Sequence, residues 1–103
     1  MAADFSKRVW KLIAKIPRGK VSTYKEIARA LGNSKAARAV GNACNANPFA
    51  PKVPCHRIVG ACGRLGGYAK GAKEKARLLE KEGIEIKKSR IQNFEKFFFR
   101  FEK

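Results

Sequence analysis

Apolar side chains recur every three or four residues between Asp4 and Ile16, at Phe5, Val9, Leu12, Ile13 and Ile16. That spacing lines one face of a helix, with Trp10 at its edge, and Pro17-Arg18-Gly19 ends it. After a short extended link at Val21, Thr23-Tyr24-Lys25-Glu26 has the form of a capping box, in which the hydroxyl and the carboxylate satisfy the free amides of a helix start. This second helix is expected to reach Leu31 and stop at Gly32. Asn33-Ser34 supply a turn and cap, and the alanine-rich stretch from Lys35 to Asn45 forms a third helix. Two short helices across a glycine-containing turn predict a helix-turn-helix.

Pro48, Pro51 and Pro54 then rule out a helix or a central strand and predict a rigid loop that delivers Cys55. Arg57 to Val59 and Gly60 to Tyr68 read as a short hairpin with a glycine-rich return. A helix from about Gly71 to Lys81, ending at Gly83, places Leu78 and Leu79 in the core. From Ser89 onward, Ile91, Phe94, Phe97, Phe98 and Phe101 form the apolar face of a last helix, with Arg90, Lys96, Arg100 and Lys103 as its main charges. The expected fold class is mainly α with a small β hairpin, a winged-helix-like helix-turn-helix domain. Residues 1–86 make up that domain, and 87–103 a basic aromatic tail, helical and packed on it.

Charge narrows the partners. The 103 residues carry 24 Lys and Arg against 8 Asp and Glu, a formal charge of +16, and Glu26 is the sole acidic side chain between Phe5 and Lys73. Such a field favours a polyanion, nucleic acid ahead of an anionic membrane surface. No apolar run approaches the roughly 20 residues of a membrane span, and the N-terminus lacks the apolar stretch of a signal peptide, so an intracellular, cytoplasmic or nucleoid location is expected. Cys44, Cys55 and Cys62 make an odd count without C-x-x-C spacing, which points to neither a disulfide framework nor a zinc site.

Pro54-Cys55-His56-Arg57-Ile58-Val59 sets a thiol beside the one histidine of the chain. The thiolate is the reactive form of cysteine, and at an ordinary pKa near ~8.5 the thiol is mostly protonated at neutral pH. His56 is the available base, through a water if the two side chains do not touch, and Glu82 or Glu80 is placed to orient it. On the third helix, Arg38-Ala39-Val40-Gly41-Asn42-Ala43 offers small side chains that permit close approach to a groove.

In this context the chain resembles the C-terminal, active-site domain of the O6-alkylguanine-DNA alkyltransferases, also called methylated-DNA-protein-cysteine methyltransferases. The matching pieces are Ile16-Pro17-Arg18-Gly19-Lys20-Val21, Thr23-Tyr24, Ile27-Ala28, Arg38-Ala39-Val40-Gly41, Asn47-Pro48, Pro54 to Val59, Gly67-Tyr68, and Lys75 with Leu78-Leu79-Glu80-Lys81-Glu82-Gly83. They stand in family order from about Phe5 to Gly83.

The resemblance implies DNA repair by stoichiometric, self-consuming transfer of an alkyl group from O6-alkylguanine to Cys55. His56 takes the thiol proton through water, Glu82 holds His56, Tyr24 hydrogen-bonds the flipped guanine and supplies a proton, and Asn47 shapes the cysteine loop. Arg38 fills the space left by the flipped base, and the recognition helix enters the minor groove with Ala39 and Gly41 at the close approach. Lys35 and Arg57 are further candidate DNA contacts, and Val59, Tyr68, Ala69 and Lys70 candidate pocket residues. The implied partner is double-stranded DNA containing O6-alkylguanine, bound by a monomer. No cofactor, metal or membrane is called for.

Most family members carry an N-terminal domain before this one, so the chain is expected to be a minimal version whose tail covers apolar surface that the other domain would protect. Tyr68-Ala69-Lys70-Gly71 departs from the small residues usual in that loop, commonly a serine after the tyrosine and then a glycine, which predicts weakened use of bulky O6-benzylguanine substrates. The rival readings are a non-catalytic alkyltransferase-like damage-recognition module and a helix-turn-helix regulator. The retained Cys55 argues against the first, and the unused Pro54-Cys55-His56-Arg57 against the second. A cysteine protease has still less support, since no acyl-transfer signature accompanies the Cys and the His.

Overall fold

The computed structural model describes residues 2–49, 52–68 and 70–101. Helix α1 (Ala2–Ile13) turns Val9 and Ile13 into the core. It ends before Ile16 because the chain tightens, Lys15 N donating to Leu12 O and Ile16 N to Ile13 O, ahead of a proline that disfavours helix in the residue before it. Strand β1 (Ser22–Thr23) leads directly into α2 (Tyr24–Ala30), and Thr23 Oγ1 caps that helix by accepting from Glu26 N at 3.0 Å.

The capping box is only half built. The Glu26 carboxylate does not return to the helix start. It binds Arg29 through both oxygens and accepts from Phe101 N at 2.8 Å, tying α2 to the far end of the chain. Gly32, at φ +86°, closes α2, with Asn33 N reaching back to Ala28 O at 3.0 Å, a backbone geometry that costs glycine least. The third helix, α3 (Ala37–Asn45), starts two residues later than expected. Ala36 is its N-cap and no side chain caps it, since Asn33 Oδ1 instead accepts from Lys35 N. Helix α3 packs on both α1 and α2, which forms the helix-turn-helix.

Strand β2 (Ile58–Val59) follows a 3-10 turn at Cys55–Arg57, and a second such turn spans Ala61–Gly63. The hairpin expected over residues 57–68 is absent. Strand β2 pairs in parallel with β1 instead, Ser22 opposite Ile58 and Thr23 opposite Val59. Helix α4 (Ala72–Lys81) follows. The hairpin lies beyond it, in β3 (Ile86–Lys87) and β4 (Arg90–Ile91), joined through Lys88 and Ser89, both at positive φ.

The tail is accordingly not one helix. It runs through β4, a single turn α5 (Phe94–Phe97) and an extended end that bridges Val21 in parallel, Val21 N donating to Phe97 O and Phe99 N to Val21 O. Its residues fill two cores. Phe101 joins Val9, Ile13, Ile27, Val40 and Ile58, while Ile91 joins Val21, Val59, Leu65, Leu79 and Ile84. No described helix is long and apolar enough to cross a membrane.

Candidate active site

The proline-rich stretch ends by seating Cys55 at the first position of its 3-10 turn, where Cys55 N donates to Val53 O and Arg57 N to Pro54 O. Cys55 is 4% exposed and His56 2%. Asn47 Nδ2 donates to Val53 O at 2.9 Å and to Cys55 Sγ at 3.1 Å, so one amide fixes both the loop and the sulfur. The Cys44 thiol near the end of α3 lies in the same core cluster. Its interaction with Cys55 is the main influence lowering the Cys55 pKa; burial opposes it, and Asn47 and the Lys75 charge add to it. Cys44 is driven the other way, held protonated by Cys55 and by burial.

His56 Nε2 lies 2.8 Å from Glu82 Oε2. Glu82 caps the end of α4 and is gripped from its other side by Arg57, Nε to Oε1 and Nη2 to Oε2, both at 2.9 Å. Burial works against the Glu82 charge, but Arg57 and His56 outweigh it and lower its pKa, so the group is a carboxylate. A carboxylate only accepts, which places the ring hydrogen of His56 on Nε2. Burial lowers the pKa of His56 despite Glu82, keeping the ring neutral near pH 7. Its Nδ1 is buried and has no hydrogen-bonding partner among the described residues, leaving that nitrogen as the basic site.

Two further groups face this centre. Lys75 is wholly buried on the α4 face shared with Leu79, its Nζ donating to Gly67 O at 3.0 Å and lying 6.0 Å from the centre of the Tyr24 ring. Burial brings Lys75 down to about 8, with Cys44 and Cys55 pulling upward, so it remains largely cationic at neutral pH. Burial, aided by the two thiols, pushes Tyr24 up to about 12, which keeps its phenol protonated. Tyr24, Arg38, Gly41, Asn42 and Asn45 line a cleft of about 440 Å³ between α2, α3 and Gly67.

Residues 4–84 match the family described as 6-O-methylguanine DNA methyltransferase, DNA binding domain. The chain belongs to that family. The methylated-DNA–protein-cysteine methyltransferase of Methanosarcina acetivorans is 54% identical over 80 residues, which cover 78% of this chain and 51% of that protein. The crystal structure of Mycobacterium tuberculosis OGT in complex with DNA superposes with a TM-score of 0.75 at 52% identity, over 77% of this chain and 49% of that one. Schizosaccharomyces pombe Atl1, in complex with damaged DNA containing O6-carboxymethylguanine, gives a TM-score of 0.83 at 32% identity over 95% of this chain and 96% of its own. This chain therefore spans about half the length of the curated methyltransferases it matches, and nearly all of Atl1.

In this family member Asn47 meets Cys55, His56 meets Glu82, and Tyr24 packs against the cluster that holds Cys55, while Arg38, Ala39 and Lys35 lie exposed along the helix-turn-helix. Glu80, the other candidate partner of His56, is exposed. Two expectations change. Arg57 is not a surface DNA contact: its guanidinium is spent on Glu82 and on Ile16 O at 2.8 Å, with the side chain 15% exposed. The Val59 side chain is wholly buried in the second core and lines no pocket. Tyr68 packs edge-on to His56 with ring centres 6.3 Å apart, Lys70 is exposed, and Ala69 lies outside the described residues. Sequence reasoning placed no role on Lys75 or Cys44. The signal for Lys75 was its position one helical turn before Leu79, a lysine on an apolar stripe.

Proposed function

We propose that this chain is the active-site domain of an alkyltransferase that moves an alkyl group from the O6 atom of guanine in double-stranded DNA to Cys55. The buried sequence of Cys55, His56 and Glu82, with Nδ1 as the one basic nitrogen, carries this reading. Cys55 gives its proton through a water to His56 Nδ1, and the Nε2–H held by Glu82 stabilises the imidazolium. The S–C bond forms as the C–O6 bond breaks, and the bond pair leaves with guanine. Tyr24, still protonated, donates toward the purine as negative charge builds there. Lys75 holds positive charge beside the thiolate. The thioether is unreactive, because a nucleophile attacking its alkyl carbon would have to expel a poor thiolate leaving group, so each molecule acts once.

Cys55 is too buried to meet a base inside a duplex, so the nucleotide must be turned out of the stack. Helix α3 approaches the minor groove with Ala39 and Gly41, and Arg38 occupies the vacated space. A Cβ on Gly41 would meet only ordinary contact with the Tyr24 ring, so smallness there serves the DNA side. Lys35 joins the phosphate contacts, and Tyr68 and Lys70 border the pocket that takes the alkyl group. The protein acts as a monomer, and the described tail, residues 87–101, belongs to the same folding unit as the described residues before it, since Ile91 and Phe101 are core residues.

A binding-only reading draws on the likeness to Atl1 along nearly the whole chain. Intact mass after incubation with duplex DNA carrying one O6-methylguanine separates the two. One methyl group per molecule, mapped to Cys55 and absent from Cys55→Ala, is the expected result. Lesion-selective binding without a mass change assigns the protein to damage recognition and withdraws Cys55 as nucleophile.

A further inference from the structure

Alkyl transfer consumes one of the two thiols of this cluster and leaves the other unmodified. Cys44 is 9% exposed and sits in the same core cluster as Cys55. The connection between them is short. Asn47 N donates to Cys44 O at 3.2 Å, and the Asn47 side chain donates to Cys55 Sγ at 3.1 Å, so a single residue bridges the end of α3 to the nucleophile. The third thiol, Cys62, is exposed and belongs to the turn at Ala61–Gly63, outside this cluster.

We propose that Cys44 is a resolving thiol, which converts peroxide-oxidised Cys55 into a reversible Cys44–Cys55 disulfide and so switches the repair centre off without destroying it.

The Cys55 thiolate attacks one oxygen of hydrogen peroxide; the S–O bond forms, the O–O bond breaks, and hydroxide leaves, giving Cys55 sulfenic acid. The Cys44 sulfur then attacks the sulfenic sulfur. The S–S bond forms, the S–O bond breaks, and the thiol proton leaves with the oxygen as water. Peroxide is thus reduced by two electrons that come from the two thiols. A dithiol reductant restores both by exchange.

The same properties that make Cys55 a nucleophile toward carbon make it one toward peroxide, since both reactions draw on the thiolate. A sulfenic acid left alone advances to sulfinic acid, which simple thiols do not reverse. A molecule that can transfer only once loses its whole capacity in that step. Cys44 intercepts the intermediate at the point where recovery is still possible, and it does so from within the same buried cluster, ahead of a slower thiol that must enter from solvent.

The proposal rests on Cys55 being the reactive thiol, and its test reads the disulfide independently of alkyl transfer. The Cys62→Ala protein is treated with hydrogen peroxide in a few-fold molar excess, enough for both oxidation steps, blocked with an alkylating reagent, and analysed by intact mass and a non-reducing peptide map. The expected product is two hydrogens lighter, with the Cys44 and Cys55 peptides joined, and dithiothreitol returns both its mass and its methyl acceptance. In Cys44→Ala/Cys62→Ala, each measured against its own untreated activity, the same dose drives Cys55 to sulfinic acid, and acceptance does not return. Sulfinic Cys55 with no cross-link in the Cys62→Ala protein overturns the proposal, as does equal recovery with and without Cys44. A cross-link in a protein that never accepts methyl overturns the transfer reading and leaves the redox pair standing.

Discussion

On the α3 face Arg38 projects into solvent beside Ala39, Asn42 and the open cleft, while at the cysteine turn Arg57 is folded under, both of its faces occupied by Glu82 and Ile16. Both arginines stand in a strongly basic chain, and both were candidates for DNA. Their surroundings give them unrelated work. An exposed guanidinium is available to phosphate or to the base stack, where its charge acts on a partner. A guanidinium locked on a buried carboxylate acts inward: it keeps Glu82 ionised, and through Glu82 it fixes the tautomer of His56. Net charge says that DNA is attractive but does not say which cations meet it.

The largest separation of the two regions comes from Glu82→Ala. Removing the carboxylate strands Arg57 and frees His56, and breaking a buried pair in this way costs about 3–5 kcal/mol. Thermal unfolding is expected to fall by at least about 10 °C for a domain of this size. Where the variant stays folded, methyl transfer slows by about 100-fold or more, the scale of a lost proton relay. An unchanged melting temperature breaks the claim that Glu82 is structural as well as positional.

Arg38→Ala is the converse. No measurable change in melting temperature is expected, yet transfer from duplex DNA falls by about 10-fold to 100-fold, in line with loss of a single well-placed contact worth about 1–3 kcal/mol. Transfer from the free O6-methylguanine base changes little, because there is no stack to fill. Equal losses on duplex and free base would place Arg38 in the chemistry rather than in DNA handling.

Acid should expose the buried region before the surface one. The pKa of His56 is lowered in the folded protein, so the unfolded chain takes up its proton first, and stability falls as pH drops below the ordinary value of 6.5. Glu82 is lowered too, so its contribution is complete above the ordinary value of 4.5 and is lost as pH falls through the lower folded value. Both groups therefore destabilise on acidification, in two steps, and His56→Gln should flatten the upper one. Denaturant midpoints from about pH 2 to 8 measure both steps, and a wild-type curve without an inflection near the histidine range removes His56 as a buried neutral base.

The smallest effect is expected at Lys70, which is exposed and which the proposed function sets at the border of the alkyl pocket. Lys70→Gly should raise labelling by O6-benzylguanine relative to methyl transfer by no more than about tenfold, the worth of one modest steric or hydrophobic adjustment. An unchanged ratio frees the pocket entrance from any role for this side chain.

Much of this was legible in order along the chain. The i, i+3, i+4 stripe of α1, the Thr23 cap, Gly32 and the Cys55-His56 dipeptide are local features. Neighbours in sequence decide them, and they are found where the pattern puts them. The hairpin was not legible, because Lys88-Ser89 adopts positive φ without the Asn-Gly or Asp-Gly pair that usually announces such a turn. The tail read as a helix because Ile91, Phe94, Phe98 and Phe101 satisfy a helical period, while the actual segment is fixed by distant partners: Val21 through its backbone and Glu26 with Arg29 through Phe101.

What the sequence determined by itself was the set of reactive groups, the helices that carry them and the sign of the field around them, since composition and short-range spacing suffice for each. Tertiary structure alone decided which cation meets the carboxylate, which lysine is desolvated, which strand pairs with β1, and that Cys44 shares the pocket of Cys55. Those outcomes depend on contacts between residues far apart in the chain, where burial changes what a charge or a thiol does, and no local pattern encodes the depth at which a side chain ends.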